Sequence, residues 1–195
     1  MNAFGLFTSW YTVVRKEVLR AFRLWAQNFR PPVMTSLLYF LVFGAFLGET
    51  IGEIHGVPFV SFVVPGLIML AVVTSSFMHT AFLFFMGKFF SRNIDEMLAS
   101  PTPPWLVIAS FTSSGIIRGL LVALMVFLTS LFFAPFSIFS IWVTLLFLIL
   151  TSTIFSLGGL VNGIYAKSFD SINIVPTFVL TPLVYLGGVF YSVQS

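Results

Sequence analysis

The amino-acid sequence predicts an all-α fold, a polytopic bundle of helices that cross a membrane. Of the 195 residues, 58% are hydrophobic and only 8% are charged, whereas soluble domains are roughly 45–50% apolar and about 25% charged. The few charges separate long uncharged runs, and several of these runs reach the roughly 20 residues that a helix needs to cross the hydrocarbon core. This composition excludes a soluble enzyme, a disordered chain and a collagen-like fibre.

The uncharged runs predict five spans, near residues 32–50, 60–85, 116–134, 138–165 and 172–190. The long run 119–166 holds two of them, with a turn predicted at residues 134–137, because proline and serine interrupt helices there. Residues 97–117 are rich in proline and small polar residues. They are interpreted as a surface segment that leads into a helix beginning near Ile116. Barrel strands are disfavoured because residues 120–133 do not alternate between apolar and polar.

Lysine and arginine predict the orientation. With the N-terminus inside, all nine bases lie on the inner side, and the outer loops carry only Glu49 and Glu53. Membrane proteins concentrate their bases in cytoplasmic loops, so the sequence pI of about 9.5 does not indicate nucleic-acid binding. Arg118 falls two residues inside the predicted third span. It is interpreted as marking the inner membrane boundary, because its long stem can carry the charge to the headgroups.

Residues 10–30 predict an amphipathic helix ahead of the first span. Aromatic and branched residues recur every three or four positions on one face, and basic residues recur on the other. Such a helix lies along the inner membrane surface, attracted to anionic lipid headgroups. Pro31 and Pro32 are expected to end it. Contact with a cytoplasmic partner is the alternative. The residues assigned to this interfacial helix are Lys16, Arg20, Arg23, Trp25 and Arg30.

The sequence indicates no catalytic or metal site. It has no Cys and two His, of which His55 falls in the outer loop and His79 within the second span. An interhelical hydrogen bond is the expected role of His79. The phosphate-binding motif G-x-x-x-x-G-K-[ST] is absent. We therefore expect a protein that is not an enzyme and that binds no cofactor.

Two further patterns concern helix packing and the inner connection. Gly159 and Gly163 form a G-x-x-x-G pair, which permits close helix approach but is weak evidence for a particular interface. Pro176 and Pro182 are expected to kink the fifth span. In the inner connection 88–115, a short helix capped by Asn93 and ended by Pro101 would form a rigid lever between two spans. On the local sequence alone, a solvated loop is the favoured interpretation.

Four stretches together resemble the ABC-2 family of transporter permeases, and most closely its bacterial YadH-like branch. They occur in the order and spacing that the family shows around its spans, and the resemblance covers nearly the whole chain. The stretches are 64–69 (VPGLIM), 96–101 (EMLASP), 118–121 (RGLL) and 182–191 (PLVYLGGVFY).

The resemblance implies the membrane subunit of an ATP-driven exporter in a bacterial inner membrane. Family members pair with a separate ATPase chain, usually as two permeases with two ATPases. A connecting helix precedes the first span, and a coupling helix between the second and third spans transmits motion from the ATPase. Carried over to this sequence, the resemblance assigns coupling to Asn93, Asp95, Glu96, Met97, Leu98 and Ala99.

The family pattern also includes a sixth span beyond Ser195. The sequence is therefore expected to be a fragment or a truncated product. A transport-inactive scaffold or assembly subunit is the alternative function. The substrate is not indicated by the sequence.

Overall fold

The structure is a computed structural model that describes residues 25–43, 52–54, 57–90, 93–99, 103–133 and 140–187, together with 8, 10–12, 14–16, 19 and 23. The named elements are α1 (Trp25–Leu41), β1 (Glu53–Ile54), β2 (Val57–Pro58), α2 (Phe59–Phe89), α3 (Asn93–Ala99), α4 (Pro104–Ser130), α5 (Ile141–Tyr165), α6 (Phe169–Val175), a π-helical turn (Pro176–Leu180) and α7 (Thr181–Leu186). The two strands form a small antiparallel hairpin in which Glu53 lies opposite Pro58.

Four helices in this described part are long and apolar enough to cross a membrane. They are α2, α4, α5 and the continuous helical stretch Phe169–Leu186. They correspond to the predicted second to fifth spans, and the all-α membrane bundle is confirmed. The first predicted span, 32–50, overlaps α1 over residues 32–41, and residues 44–50 lie outside the described part. A count of five spans therefore stays a prediction, as does the turn at 134–137.

The first helix corrects one prediction. Pro31 and Pro32 were expected to end the interfacial helix, but α1 runs from Trp25 to Leu41 with both prolines inside it. Each proline removes one backbone donor, yet helices in membrane bundles tolerate this because neighbouring groups satisfy the released carbonyls. The predicted boundary between an interfacial helix and the first span is therefore wrong at this point.

The third long helix corrects a second prediction. α4 begins at Pro104, well before the expected start at Ile116, so the segment 104–115 is not a surface connection. Backbone amides in the first turn of a helix have no acceptor within the helix. Proline is favoured there because its lack of an amide N–H breaks no helical hydrogen bond. Ser110, Thr112 and Ser114 are each less than 8% exposed. Their small polar side chains are typical of helix–helix contacts in membranes, where backbones approach closely.

Three helices form the centre of the bundle. Gly115 and Gly119 of α4 face Thr80 and Ser76 of α2, so these two helices run antiparallel. Gly159 and Gly163 of α5 face Phe77 and Ala81, so α5 runs parallel to α2. Lys88 at the end of α2 donates a hydrogen bond of 3.0 Å to the carbonyl of Ile164. The helices α2, α4 and α5 therefore alternate in direction, as consecutive membrane-crossing helices do.

Aromatic contacts fix the two ends of the bundle. At the end that holds Glu53, the ring of Phe40 stacks on Phe133 with centroids 5.5 Å apart. At the opposite end, the ring of Phe169 lies 5.1 Å from that of Phe85 and 5.6 Å from that of Phe90. The start of α6 is thereby attached to the end of α2.

The last span changes its hydrogen-bonding pattern at a predicted position. Pro176 begins the π-helical turn. The Thr181 hydroxyl donates a hydrogen bond of 3.0 Å to the carbonyl of Pro176, five residues earlier. Proline and π turns are the common sites at which helices depart from regular geometry. The prediction of an irregular fifth span is supported at Pro176.

Candidate functional site

A short helix lies between the second and third long helices, as the lever interpretation expected. α3 covers Asn93–Ala99 and carries Asp95 and Glu96 in its first turn. Ile94 is only 4% exposed and packs in a cluster with Leu83 and Val107. A Cβ on Gly87 would lie 3.0 Å from the Cδ1 of Ile94, so the glycine leaves the space that this side chain occupies. The helix is thus seated on the bundle.

The exposed side of α3 differs from the expected one. Met97 was expected to face a partner, but it is half-buried against the cluster that contains Ile94. Asp95, Glu96 and Ala99 are exposed. Residues three apart lie on one helix face, so Ile94 and Met97 anchor the helix together. The side chains of Asn93 and Leu98 are outside the described set.

The basic residues of the predicted interfacial helix lie at the surface where they are described. Lys16, Arg23 and Arg30 are exposed, while Phe29 on the predicted apolar face is 6% exposed. The Nε1 of Trp10 donates a hydrogen bond of 3.3 Å to Ser113 of α4, which connects the N-terminal segment to the bundle. Arg20 and the side chain of Trp25 lie outside the described residues, and contact with lipid stays a prediction.

His79 has the role that the sequence favoured. Its Nε2 lies 3.0 Å from the hydroxyl oxygen of Ser114, across the contact between α2 and α4. In the described part of the chain, no group of three or more His, Cys, Asp or Glu residues could hold a metal ion.

Arg118 lies where the sequence interpretation did not place it. It stands midway along the 27-residue helix α4, about 21 Å from the helix start at about 1.5 Å per residue. The neighbouring Gly119 faces Ser76, which is two residues from the midpoint of the 31-residue helix α2 at Thr74. Arg118 therefore lies at the middle depth of the bundle and does not mark the inner boundary. The error followed from starting the third span at Ile116.

A cavity of ≈ 430 Å³, with a largely apolar lining, opens beside Arg118 between α1, α2, α4 and the last span. Leu67, Leu70 and Ala71 form part of an apolar wall. Among the described lining residues, Arg118 is the only charged one. Hydroxyl groups supply the other polar atoms, and they belong to Thr35, Ser36, Tyr39, Thr74, Ser75, Thr181 and Tyr185.

The two tyrosines join the first and last helices across this cavity. Their hydroxyl oxygens, on Tyr39 and Tyr185, lie 2.9 Å apart. They are far apart in the sequence, and no spacing rule connects them. The cavity was missed because its polar groups come from four separate helices, but an arginine within an apolar helix was a usable signal.

These features define a class: a polytopic helical membrane protein with a charged cavity at mid-depth and a short helix fixed at one end. The chain belongs to the ABC-2 type transporter family, whose model matches residues 8–195. No solved structure matches the chain.

The curated relatives agree with this family. The inner membrane transport permease YadH of Escherichia coli K12 is 50% identical over 177 residues, which cover 91% of this chain and 69% of that protein. The protein of the same name from Shigella flexneri matches equally. Nodulation protein J of Rhizobium leguminosarum bv. viciae is 22% identical over 201 residues, covering 96% of this chain and 72% of that protein.

Proposed function

We propose that this chain is the membrane-spanning permease subunit of an ATP-driven exporter in a bacterial inner membrane, with its N-terminus in the cytoplasm. Family membership and the similarity to permeases named for the inner membrane support this. The chain forms the translocation path and lacks a catalytic site of its own. ATP hydrolysis takes place in a separate ABC ATPase, and two permeases assemble with two ATPases.

The observation that carries the proposal is the seating of α3. Ile94 and Met97 hold the helix on the cluster formed by α2, α4 and α5, while Asp95 and Glu96 remain exposed. A force applied to such a helix passes into the apolar cluster that α2, α4 and α5 share. A solvated loop would transmit little of such a force to the spans, because the loop itself would rearrange. We therefore assign contact with the ATPase to the exposed face formed by Asp95, Glu96 and Ala99.

Charge reversal tests this assignment. The chain is coexpressed with a tagged ABC ATPase, the first choice being one encoded beside its gene. We expect the double variant Asp95→Lys, Glu96→Lys to copurify less ATPase and to lose stimulated ATP hydrolysis, while it still inserts in the membrane. Glu53→Lys is the matched control, because Glu53 is an exposed acid at the opposite end of the bundle.

Unchanged copurification and hydrolysis in the double variant would contradict the coupling role of α3. A wild-type complex that assembles fully but transports nothing under any condition would favour the scaffold function instead.

A further inference from the structure

We propose that the cavity beside Arg118 is a binding site for an anionic group of the phosphate or carboxylate type, carried as the head group of an amphiphile or present as a free anion. The inference rests on the proposed transport function and specifies the chemistry of its site. It begins from the position of Arg118, since a charged side chain at the middle depth of a membrane bundle is costly and marks substrate or ion pathways.

The charge of the lining selects an anion. Arg118 is the only charged residue among the described residues that line the cavity. A guanidinium carries five N–H donors in a planar fork. It can therefore keep a hydrogen bond within the bundle and still bind two oxygens of a phosphate or carboxylate.

Four of the lining hydroxyl groups divide into two kinds. Three hydroxyl groups donate hydrogen bonds to backbone carbonyls of their own helices. They belong to Ser36, Thr74 and Thr181, and the distances are 2.9, 2.8 and 3.0 Å. Their hydrogens are used, so they cannot donate to an anion. Within the described part of the chain, the buried Ser75 hydroxyl has no hydrogen-bond partner. It is a donor available on the cavity lining, because a buried hydroxyl without a partner costs free energy until a ligand or water satisfies it.

The size and the walls of the cavity fit a head group with an apolar neighbour. Its volume of ≈ 430 Å³ lies within the range of roughly 300–1,000 Å³ that is usual for ligand sites. Leu67, Leu70 and Ala71 supply apolar surface next to the guanidinium. An amphiphile with one anionic group satisfies both parts of the lining.

The test uses the full chain in a neutral maltoside detergent, without an ATPase, so that an anion site and an ATPase contact succeed or fail separately. The probe is radiolabelled decyl phosphate, measured by equilibrium binding. We expect saturable binding that weakens about tenfold or more in Arg118→Gln, because a charge-assisted bidentate contact is lost. Arg118→Lys should retain part of the affinity, since lysine keeps the charge but not the fork.

Two further variants guard against misfolding and general charge effects. Ser75→Ala should weaken binding about two- to tenfold, because it removes one donor and leaves the fold intact. Arg23→Gln, at an exposed arginine outside the cavity, should bind as the wild type does. If Arg118→Gln does not elute as a monodisperse protein, Arg118→Lys and Ser75→Ala decide the result.

Competition distinguishes the source of the anion. Displacement by unlabelled decyl phosphate but not by inorganic phosphate indicates an amphiphile head group, and equal displacement by both indicates a free anion. Equal displacement by uncharged decanol would overturn the proposal, because apolar contact alone would then explain binding. The absence of saturable binding, or wild-type affinity in both Arg118→Gln and Ser75→Ala, would also overturn it.

Discussion

The helix pair α2 and α4 has two very different sides at the middle depth of the bundle. On one side, α2 and α4 close against α5 through glycine and serine. On the other, Thr74 and Arg118 border an open cavity. Ser76, which lies two residues beyond Thr74, is completely buried against Gly119. We call the first side the glycine seam, formed by Ser76, Thr80, Gly115, Gly119, Ser152, Ser156, Gly159 and Gly163.

The difference shows how α2 and α4 can be held rigidly on one side and border an open cavity on the other. A Cβ at Gly159 would lie 2.9 Å from the carbonyl carbon of Phe77, and one at Gly163 would lie 2.7 Å from the Ala81 oxygen. Backbones this close hold α2 and α5 in one arrangement, because dispersion contacts replace the hydrophobic driving force that lipid does not supply. On the cavity side the same two helices border a space of ≈ 430 Å³, in which a ligand has room.

The largest expected effect comes from closing the space in the seam. Gly159→Ala places a methyl group against the Phe77 backbone, which cannot move aside without separating α2 from α5. We expect a loss of about 1–3 kcal/mol of stability, seen as a lower temperature of thermal aggregation in detergent. Gly158→Ala is the matched control, since its Cβ would lie 3.4 Å from the Phe77 ring, an ordinary contact. Equal melting of both variants would contradict the seam.

A smaller effect is expected at the hydrogen bond between His79 and Ser114, which crosses from α2 to α4. Interhelical hydrogen bonds in membranes average about 0.6 kcal/mol and reach about 1.7. We expect the double-mutant cycle of His79→Phe and Ser114→Ala to give a coupling free energy in that range. Additive single effects would show that this contact contributes nothing between the helices.

The tyrosine pair on the cavity side should matter least for stability. Tyr39→Phe removes one of two hydroxyls that lie 2.9 Å apart, but Tyr185 is 42% exposed. We expect thermal stability close to that of the wild type, because water can replace a partner at an exposed hydroxyl. A loss as large as that of Gly159→Ala would mean that the cavity side is held as firmly as the seam.

The orientation of the bundle in the membrane can be tested by substitutions that are not expected to change its stability. The chain contains no cysteine, so single probes can be placed at exposed positions. Glu53 and Lys167 lie at opposite ends of the bundle and are exposed. We expect an impermeant thiol reagent to label Glu53→Cys from the outer side and Lys167→Cys only from the inner side. The reverse labelling would invert the proposed topology.

Much of the fold could be predicted from the sequence, because hydropathy and proline mark membrane helices directly. The capping and acidic residues of α3 were compatible with a short helix but also with a solvated loop, and the spacing of Gly159 and Gly163 permitted close helix contact without identifying the partner. The start of α4 could not be placed, since Ser110, Thr112 and Ser114 look like loop residues when their neighbours are unknown. That error moved Arg118 to the boundary and hid the cavity. The matching pair Gly115 and Gly119 was also missed, although its spacing was visible.

At the middle depth of the bundle, α2 and α4 are sealed against α5 on one side and open to the cavity on the other. Thiol labelling of Thr74→Cys and Ser76→Cys tests it most directly, because the two positions are two residues apart and the substitutions are small. We predict that an anionic methanethiosulfonate reagent modifies the cysteine at position 74 and leaves the one at position 76 unmodified. Equal modification of both cysteines, or modification at position 76 alone, would contradict the account.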